Sequence, residues 1–222
     1  MNSTLTRTWS AILFDLDGTI TDSAPAITSS LARTFAVLGR PVPSVSELLA
    51  YVGPPLLAAF REYAGMTPDE AVEAVAVYRA DYQNGHLLDT AIFPGVAGVL
   101  ERIHAAKIPM AVATSKTQHN AIAVLEHFDL ARYFAAIVGS TDTETRSSKA
   151  DIVAEALERL GAAGADLTAP VMVGDRRYDA EGAAEHGVPT ILVEWGYGSP
   201  AEATAAATTV YSSDRLAKLL LG

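Results

Sequence analysis

An α/β fold, a doubly wound parallel sheet interrupted by an all-helical insertion, is what this sequence predicts, on three observations. Short apolar runs alternate with segments of helical period, the pattern of strand–helix–strand units that build a parallel sheet with right-handed crossovers. One long stretch after the first run, residues 23–89, reads helical almost throughout and breaks that alternation. The chain is also large and apolar enough for a substantial core: 222 residues, 50% of them hydrophobic and 19% charged. Such a composition offsets the entropy of ordering and excludes disorder for most of the chain.

In chain order, the first strand is expected at residues 11–14, four apolar residues bounded by polar ones and too short for a helix. The insertion follows. It begins with a helix over residues 27–38, and Ser44 with Glu47 three residues later then marks another helix start as a capping box. Residues 56–63 are helical, and Thr67-Pro68-Asp69-Glu70 combines a second capping box with proline at the first helical position, opening a helix to about Tyr82. The chain returns to the core through residues 87–94. From there strands are expected at 110–113, 136–138, 171–173 and 190–193, and helices at 96–106, 117–128 and 152–160. In the second of these helices Ile122, Val124, Leu125 and Phe128 recur at helical spacing; in the third, Val153, Ala156, Leu157 and Leu160 do. The Ala/Thr-rich residues 201–209 read as a surface helix and loop. The resulting division is a core of residues 1–22 and 90–222 with a helical cap at 23–89.

Charge and composition narrow the function. Sixteen Lys and Arg face 26 Asp and Glu, a net charge of −10 with no basic stripe, which argues against nucleic-acid polymers and anionic membrane surfaces. With no cysteine there is no disulfide framework, thiolate metal site or catalytic thiol. Residues 1–10 are polar and lack the apolar stretch of a secretory leader, so the expectation is a cytoplasmic protein.

Chemistry gathers where the apolar runs end. Residues 11–14 lead into Asp15-Leu16-Asp17-Gly18-Thr19, residues 110–113 into Thr114-Ser115-Lys116, and residues 171–173 into Gly174-Asp175 with Asp179 four further on. In an open parallel sheet the carboxyl ends of the strands share one edge, so these groups are expected to meet. Converging carboxylates are costly without a counter-charge, and a hard divalent cation such as Mg²⁺ suits an all-oxygen site. A carboxylate beside such a cation can attack a phosphoryl group, while a second carboxylate two residues away serves the leaving group as acid and water as base. The charge on the transferred oxygens calls for a hydroxyl and a cation: Thr114 supplies the first, and Lys149, at the start of the third of these helices, the second, with Arg146 the alternative. The favoured partner is a small phosphorylated metabolite. Gly18, Thr19 and Ser115 are the neighbouring candidates for substrate contact, Gly18 because a Cβ would obstruct close backbone approach.

Asp15-x-Asp17-Gly18-Thr19, Thr114 after a strand, Lys149 before a helix and Gly174-Asp175-x-x-x-Asp179 resemble the four ordered motifs of the haloacid dehalogenase superfamily of phosphotransferases. The match spans residues 9–22 and 90–195, and the insertion resembles that superfamily's small helical cap. The resemblance implies a Rossmann-like core in which Asp15 is the nucleophile that forms an aspartyl-phosphate and Asp17 the general acid/base, its backbone carbonyl also binding Mg²⁺. It further implies that Asp175 completes the metal site with Asp15, that Thr114 and Lys149 hold the phosphoryl group, and that Asp179 supports Lys149 or a metal-bound water. Gly53-Pro54-Pro55-Leu56 and Trp195-Gly196-Tyr197-Gly198 are similar to segments of the phosphoglycolate-phosphatase-like branch and its 5′-nucleotidase relatives. One departure is visible: Arg176-Arg177-Tyr178 stands where many relatives have Ser after the metal-binding Asp.

Each of these residues also has a plainer structural reading. Asp15-x-Asp17-Gly18 is ordinary turn chemistry, Thr114 and Asp175 are possible helix caps, Lys149 a solvated lysine and Asp179 a first-turn carboxylate. His86, His104, His119, His127 and His186 show no ligand spacing and read as packing or surface residues. A sugar-phosphate mutase shares the proposed first step, and a receiver-like signalling module shares the phospho-aspartate. The paired Asp15 and Asp17 and the helical insertion favour a hydrolase over the receiver.

Overall fold

A computed structural model of the protein describes residues 8–142 and 146–222; most of the polar N-terminal stretch read above therefore lies outside the described residues. The core is a six-stranded, all-parallel sheet of β1 (Ala11–Phe14), β4 (Met110–Thr117), β5 (Ala136–Ser140), β6 (Pro170–Gly174), β7 (Thr190–Val193) and β8 (Thr208–Val210), in the order β5-β4-β1-β6-β7-β8. β1 is fully buried on both faces, which is why its sequence is a continuous apolar run. Ile12 and Phe14 pack into one apolar layer with α5 (Val96–Ala105), α6 (Gln118–His127) and α9 (Ser213–Leu221). Ala11 and Leu13 pack into the opposite layer with α7 (Lys149–Ala162) and α8 (Arg177–Ala184). From β1 the chain builds outward in both directions, to β4 and β5 on one side and to β6, β7 and β8 on the other, so β1 lies at the switch point of the sheet.

The insertion leaves and rejoins the core through an antiparallel ribbon, β2 (Thr21–Asp22) against β3 (Ala91–Ile92). Between them lie α1 (Ala24–Val37), α2 (Val45–Leu48), α3 (Leu56–Ala64) and α4 (Pro68–Asp81). Both capping boxes expected from sequence form, at Ser44 with Glu47 and at Thr67 with Glu70. These helices bury an apolar cluster of their own, centred on Phe35, Tyr51 and Phe60, whose rings pack 5.6–5.9 Å apart.

The strands and helices expected from sequence do not include the ribbon β2/β3 or helix α8, and further segments differ from that expectation. The stretch 201–209 forms a short 3₁₀ turn, Pro200–Ala205, and then contributes β8 as an edge strand, because Val210 buries against the core while its neighbours stay more exposed. The final helix α9 carries no expected counterpart, and β4 runs on to Thr117, so α6 begins one residue later than read.

Candidate active site

Asp15 follows β1, Thr114 lies within β4, and Asp175 follows β6, so three adjacent strands deliver them to one edge. Lys149, the first residue of α7, reaches the same point. Its Nζ lies 2.8 Å from Asp15 Oδ1 and 2.7 Å from Asp179 Oδ1, and donates to the Ala113 carbonyl at 3.1 Å. Ser148 caps α7 by accepting the Asp151 N–H, which fixes where the helix starts and therefore where Lys149 emerges. Burial opposes the charge on Lys149, but Asp15 and Asp179 outweigh it and hold the ammonium above the ordinary lysine range.

Asp15, Asp175 and Asp179 are all buried, and each offers an oxygen within 4.8 Å of the others. Asp179 Oδ2 accepts the N–H groups of Asp175 and Arg176, at 3.1 and 3.0 Å, while its Oδ1 faces Lys149, so this carboxylate is consumed in shaping the loop. Asp175 Oδ2 accepts the Tyr197 N–H at 2.7 Å; its Oδ1 is buried with no hydrogen-bond partner among the described residues. Burial pushes the Asp15 carboxyl up to about 6 against the pull of Lys149. Burial first, and then Asp179 and Asp15, push Asp175 well above the usual carboxylate range. Three buried carboxylates thus gather around one ammonium that pairs with two of them, and the third, Asp175, keeps a buried oxygen with no partner among the described residues. That donor set fits a hard divalent cation, which would supply the missing positive charge.

Two glycines make the packing possible. A Cβ on Gly18, whose φ is +89°, would fall 2.3 Å from Asp175 Oδ2, and a Cβ on Gly196 would meet Asp175 Cβ at 2.3 Å. Each lets main chain close on the carboxylate.

The Asp17 side chain is not part of the carboxylate group. Lys116 Nζ donates to both of its oxygens at 2.9 Å and to Tyr82 Oη at 3.0 Å, and Ser23 Oγ donates to Asp17 Oδ1 at 2.5 Å. The main-chain carbonyl is what remains for a metal contact by this residue. Asp15, Asp17, Thr114, Ser115 and Lys116 line a cleft roofed by the insertion, with residues 53–56, Tyr51, Tyr78 and Tyr82 opposite. The Ser115 hydroxyl is buried there without a partner among the described residues, while that of Thr114 accepts the Lys116 N–H at 3.3 Å. Gly18 and Thr19 are not among the residues lining this cleft; the Thr19 carbonyl accepts from Trp195 Nε1 at 3.1 Å. Arg146 is spent elsewhere, on Gly139, Gln118 and Glu155.

Lys116, Ser23 and Tyr197 carry contacts that sequence reasoning did not assign. Lys116 stood two residues beyond Thr114 at a reactive strand end, a signal that was legible. Tyr197 was not legible: its N–H binds Asp175 and its hydroxyl donates to Asp22 at 2.9 Å while accepting from the N–H groups of Ser23 and Ala24, a link visible only in three dimensions. The segment 195–198 is thus a brace between the carboxylate loop and the entry to α1.

Residues 12–193 match the family described as haloacid dehalogenase-like hydrolase. A crystal structure of a predicted phosphatase from Clostridium acetobutylicum superposes with a TM-score of 0.89 at 35% identity, over 95% of this chain and 97% of that one. The 5′-nucleotidase of Pseudomonas aeruginosa is 37% identical over 91% of this chain and 90% of its own length. The tyrosine-protein kinase PtkA of Mycobacterium tuberculosis is 39% identical over 90% of this chain and 67% of its own. Phosphoglycolate phosphatases match at lower identity. The chain belongs to the haloacid dehalogenase-like hydrolase family. Within it, the chain sits among the phosphatases.

Proposed function

We propose that the protein is a Mg²⁺-dependent phosphomonoester hydrolase working through an aspartyl-phosphate, on a small phosphorylated metabolite of the phosphoglycolate or nucleoside monophosphate kind. The observation that carries this reading is Asp15 at the floor of a roofed cleft, paired with Lys149 and beside the unsatisfied Asp175 oxygen. Residues 1–22 and 90–222 form the catalytic core in this reading, and residues 23–89 form the cap that excludes water from it. We place the reaction in the cytoplasm, where a protein without cysteine needs no oxidising surroundings.

Asp15 Oδ1 is committed to Lys149, so the other carboxylate oxygen is the one to attack phosphorus, forming the acyl-phosphate as the ester oxygen leaves. Asp17 is held as an acceptor by Lys116 and Ser23; to serve as the acid it enters the cycle after taking a proton from solvent, passes that proton to the leaving oxygen, and regains one from the water that hydrolyses the acyl-phosphate. Lys149 and the hydroxyls of Thr114 and Ser115 meet the charge on the phosphoryl oxygens. Asp15, Asp175 and the Asp17 carbonyl would hold Mg²⁺, which when bound polarises the phosphoryl group.

The test is phosphate release from a panel of phosphate esters, with and without Mg²⁺. Wild type is expected to release phosphate only with the metal, and Asp15→Asn to fall to the no-enzyme background. An active Asp15→Asn protein would sink the mechanism, and isomerised sugar phosphate in place of inorganic phosphate would point to a mutase.

A further inference from the structure

Arg176 adjoins Asp175 in the chain yet turns away from the carboxylates, and the reaction above makes no use of it. It is 8% exposed. One end of its guanidinium donates to the Val52 carbonyl in the insertion, and Nε donates to Glu202 Oε2 at 3.1 Å. Glu202 is itself fixed, because its carboxylate accepts the N–H groups of Arg177 at 2.8 Å and of Ser199 at 3.0 Å. The Arg stem lies flat against Gly53: a Cβ there would come 3.0 Å from Arg176 Cγ, and the φ of +111° is strained for any other residue. Two residues on, the Tyr178 hydroxyl bonds that of Tyr63 on α3 at 2.8 Å, a second tie between this loop and the insertion.

Residues 52–56 are one part of the insertion that lines the cleft of Asp15 and Asp17, beside Tyr51, Tyr78 and Tyr82. We propose that Arg176 is a positioning residue: a strut from Glu202 to the Val52 carbonyl that sets the height of residues 52–56 above Asp15, and so the size of the leaving group the cleft admits. Because the strut is continuous in sequence with Asp175, the carboxylate loop and the cleft roof move as one piece. The consequence for leaving-group size rests on the phosphatase reading; the docking does not.

Hydrogen–deuterium exchange on the full chain reads the docking directly. Arg176→Ala is expected to raise exchange in peptides covering residues 49–60 by about fivefold or more, while peptides covering residues 8–22 keep the wild-type rate. Arg176→Lys, which can reach one partner but lacks the fork for two, is expected to fall between. Glu202→Gln leaves the arginine in place and guards against a misfolded alanine variant; it is expected to loosen the same peptides to a lesser degree. For turnover, 2-phosphoglycolate, p-nitrophenyl phosphate and adenosine 5′-monophosphate serve as small, medium and large esters. Arg176→Ala is expected to raise KM for the best of them about tenfold, with kcat changed less than threefold, and to shift preference toward the larger ester. Wild-type exchange over residues 49–60 in both Arg176→Ala and Glu202→Gln overturns the strut. Looser exchange with an unchanged order of preference overturns its role in substrate choice. A wild type that hydrolyses none of the three esters counts against the phosphatase reading while the exchange result still decides the docking.

Discussion

At the scale of single residues the site is built by close approach. Gly18 admits Asp175 to the turn after β1 only because it has no Cβ, and its backbone lies in the left-handed region besides. Gly18→Ala therefore has to push Asp175 away or unwind the turn. A displacement of about 1 Å at a reacting centre costs on the order of a hundredfold, so kcat/KM is expected to fall by about that factor or more. The steady-state assay used for Asp15→Asn measures it, and wild-type rates in Gly18→Ala would show that the contact has no bearing on the site. Lys116 illustrates a division between neighbours. Lys149 neutralises Asp15 and Asp179, whereas Lys116, two residues from Thr114, neutralises Asp17. Two buried ammonium groups, both raised above their ordinary range once their carboxylates outweigh burial, keep the paired acids in separate electrostatic surroundings.

Among the elements, α7 shows how a helix start becomes a functional coordinate. Its cap, Ser148, is exposed, yet the next residue is the buried Lys149. Ser148→Ala removes a cap worth about 1 kcal/mol, which for a chain of this size lowers the melting midpoint by roughly 2–4 °C. Calorimetry is expected to record that shift together with a fall in kcat of less than tenfold, since packing of Ile152, Val153 and Ala156 holds the rest of the helix. A loss as large as that of Asp15→Asn would mean that the cap itself takes part in the chemistry. The same scale explains what could be read in advance. The buried strands were legible because β1, β4 and β6 are apolar on both faces, and the two capping boxes because their hydrogen bonds are local. β8 was not, since three residues with a single buried side chain carry no period, and its place is set by pairing with β7. Of the site, the strand-end residues Asp15, Thr114 and Asp175 could be placed together by topology alone. The contacts of Ser23, Tyr197 and Arg176 depend on how the insertion lies over the core, which no local pattern encodes.

For the molecule as a whole, the carboxylate group couples metal to stability. Asp15, at about 6 in the folded protein against an ordinary 3.8, holds its proton more tightly folded than unfolded. In the metal-free protein the stability it contributes is thus full below about pH 4 and is lost as the pH rises through about 6; the raised Asp175 acts in the same sense. Melting in a chelator is expected to show a lower midpoint at about pH 7.5 than at about pH 5 from these groups, and saturating Mg²⁺ to raise the midpoint by about 5–10 °C at the higher pH and by less at the lower. An equal shift at both pH values, or one that survives in Asp175→Asn, would count against a metal held by these carboxylates. A last consequence follows from the two-residue ribbon of Thr21–Asp22 against Ala91–Ile92. Both ends of the insertion pass through the same pair of hydrogen-bonded neighbours, so the six-strand register is blind to how much chain lies beyond them. Such a junction is a socket: helices can be lengthened or shortened on its far side without asking any strand of the sheet to slip, provided the ties of Ser23, Val52 and Tyr82 to the floor are kept.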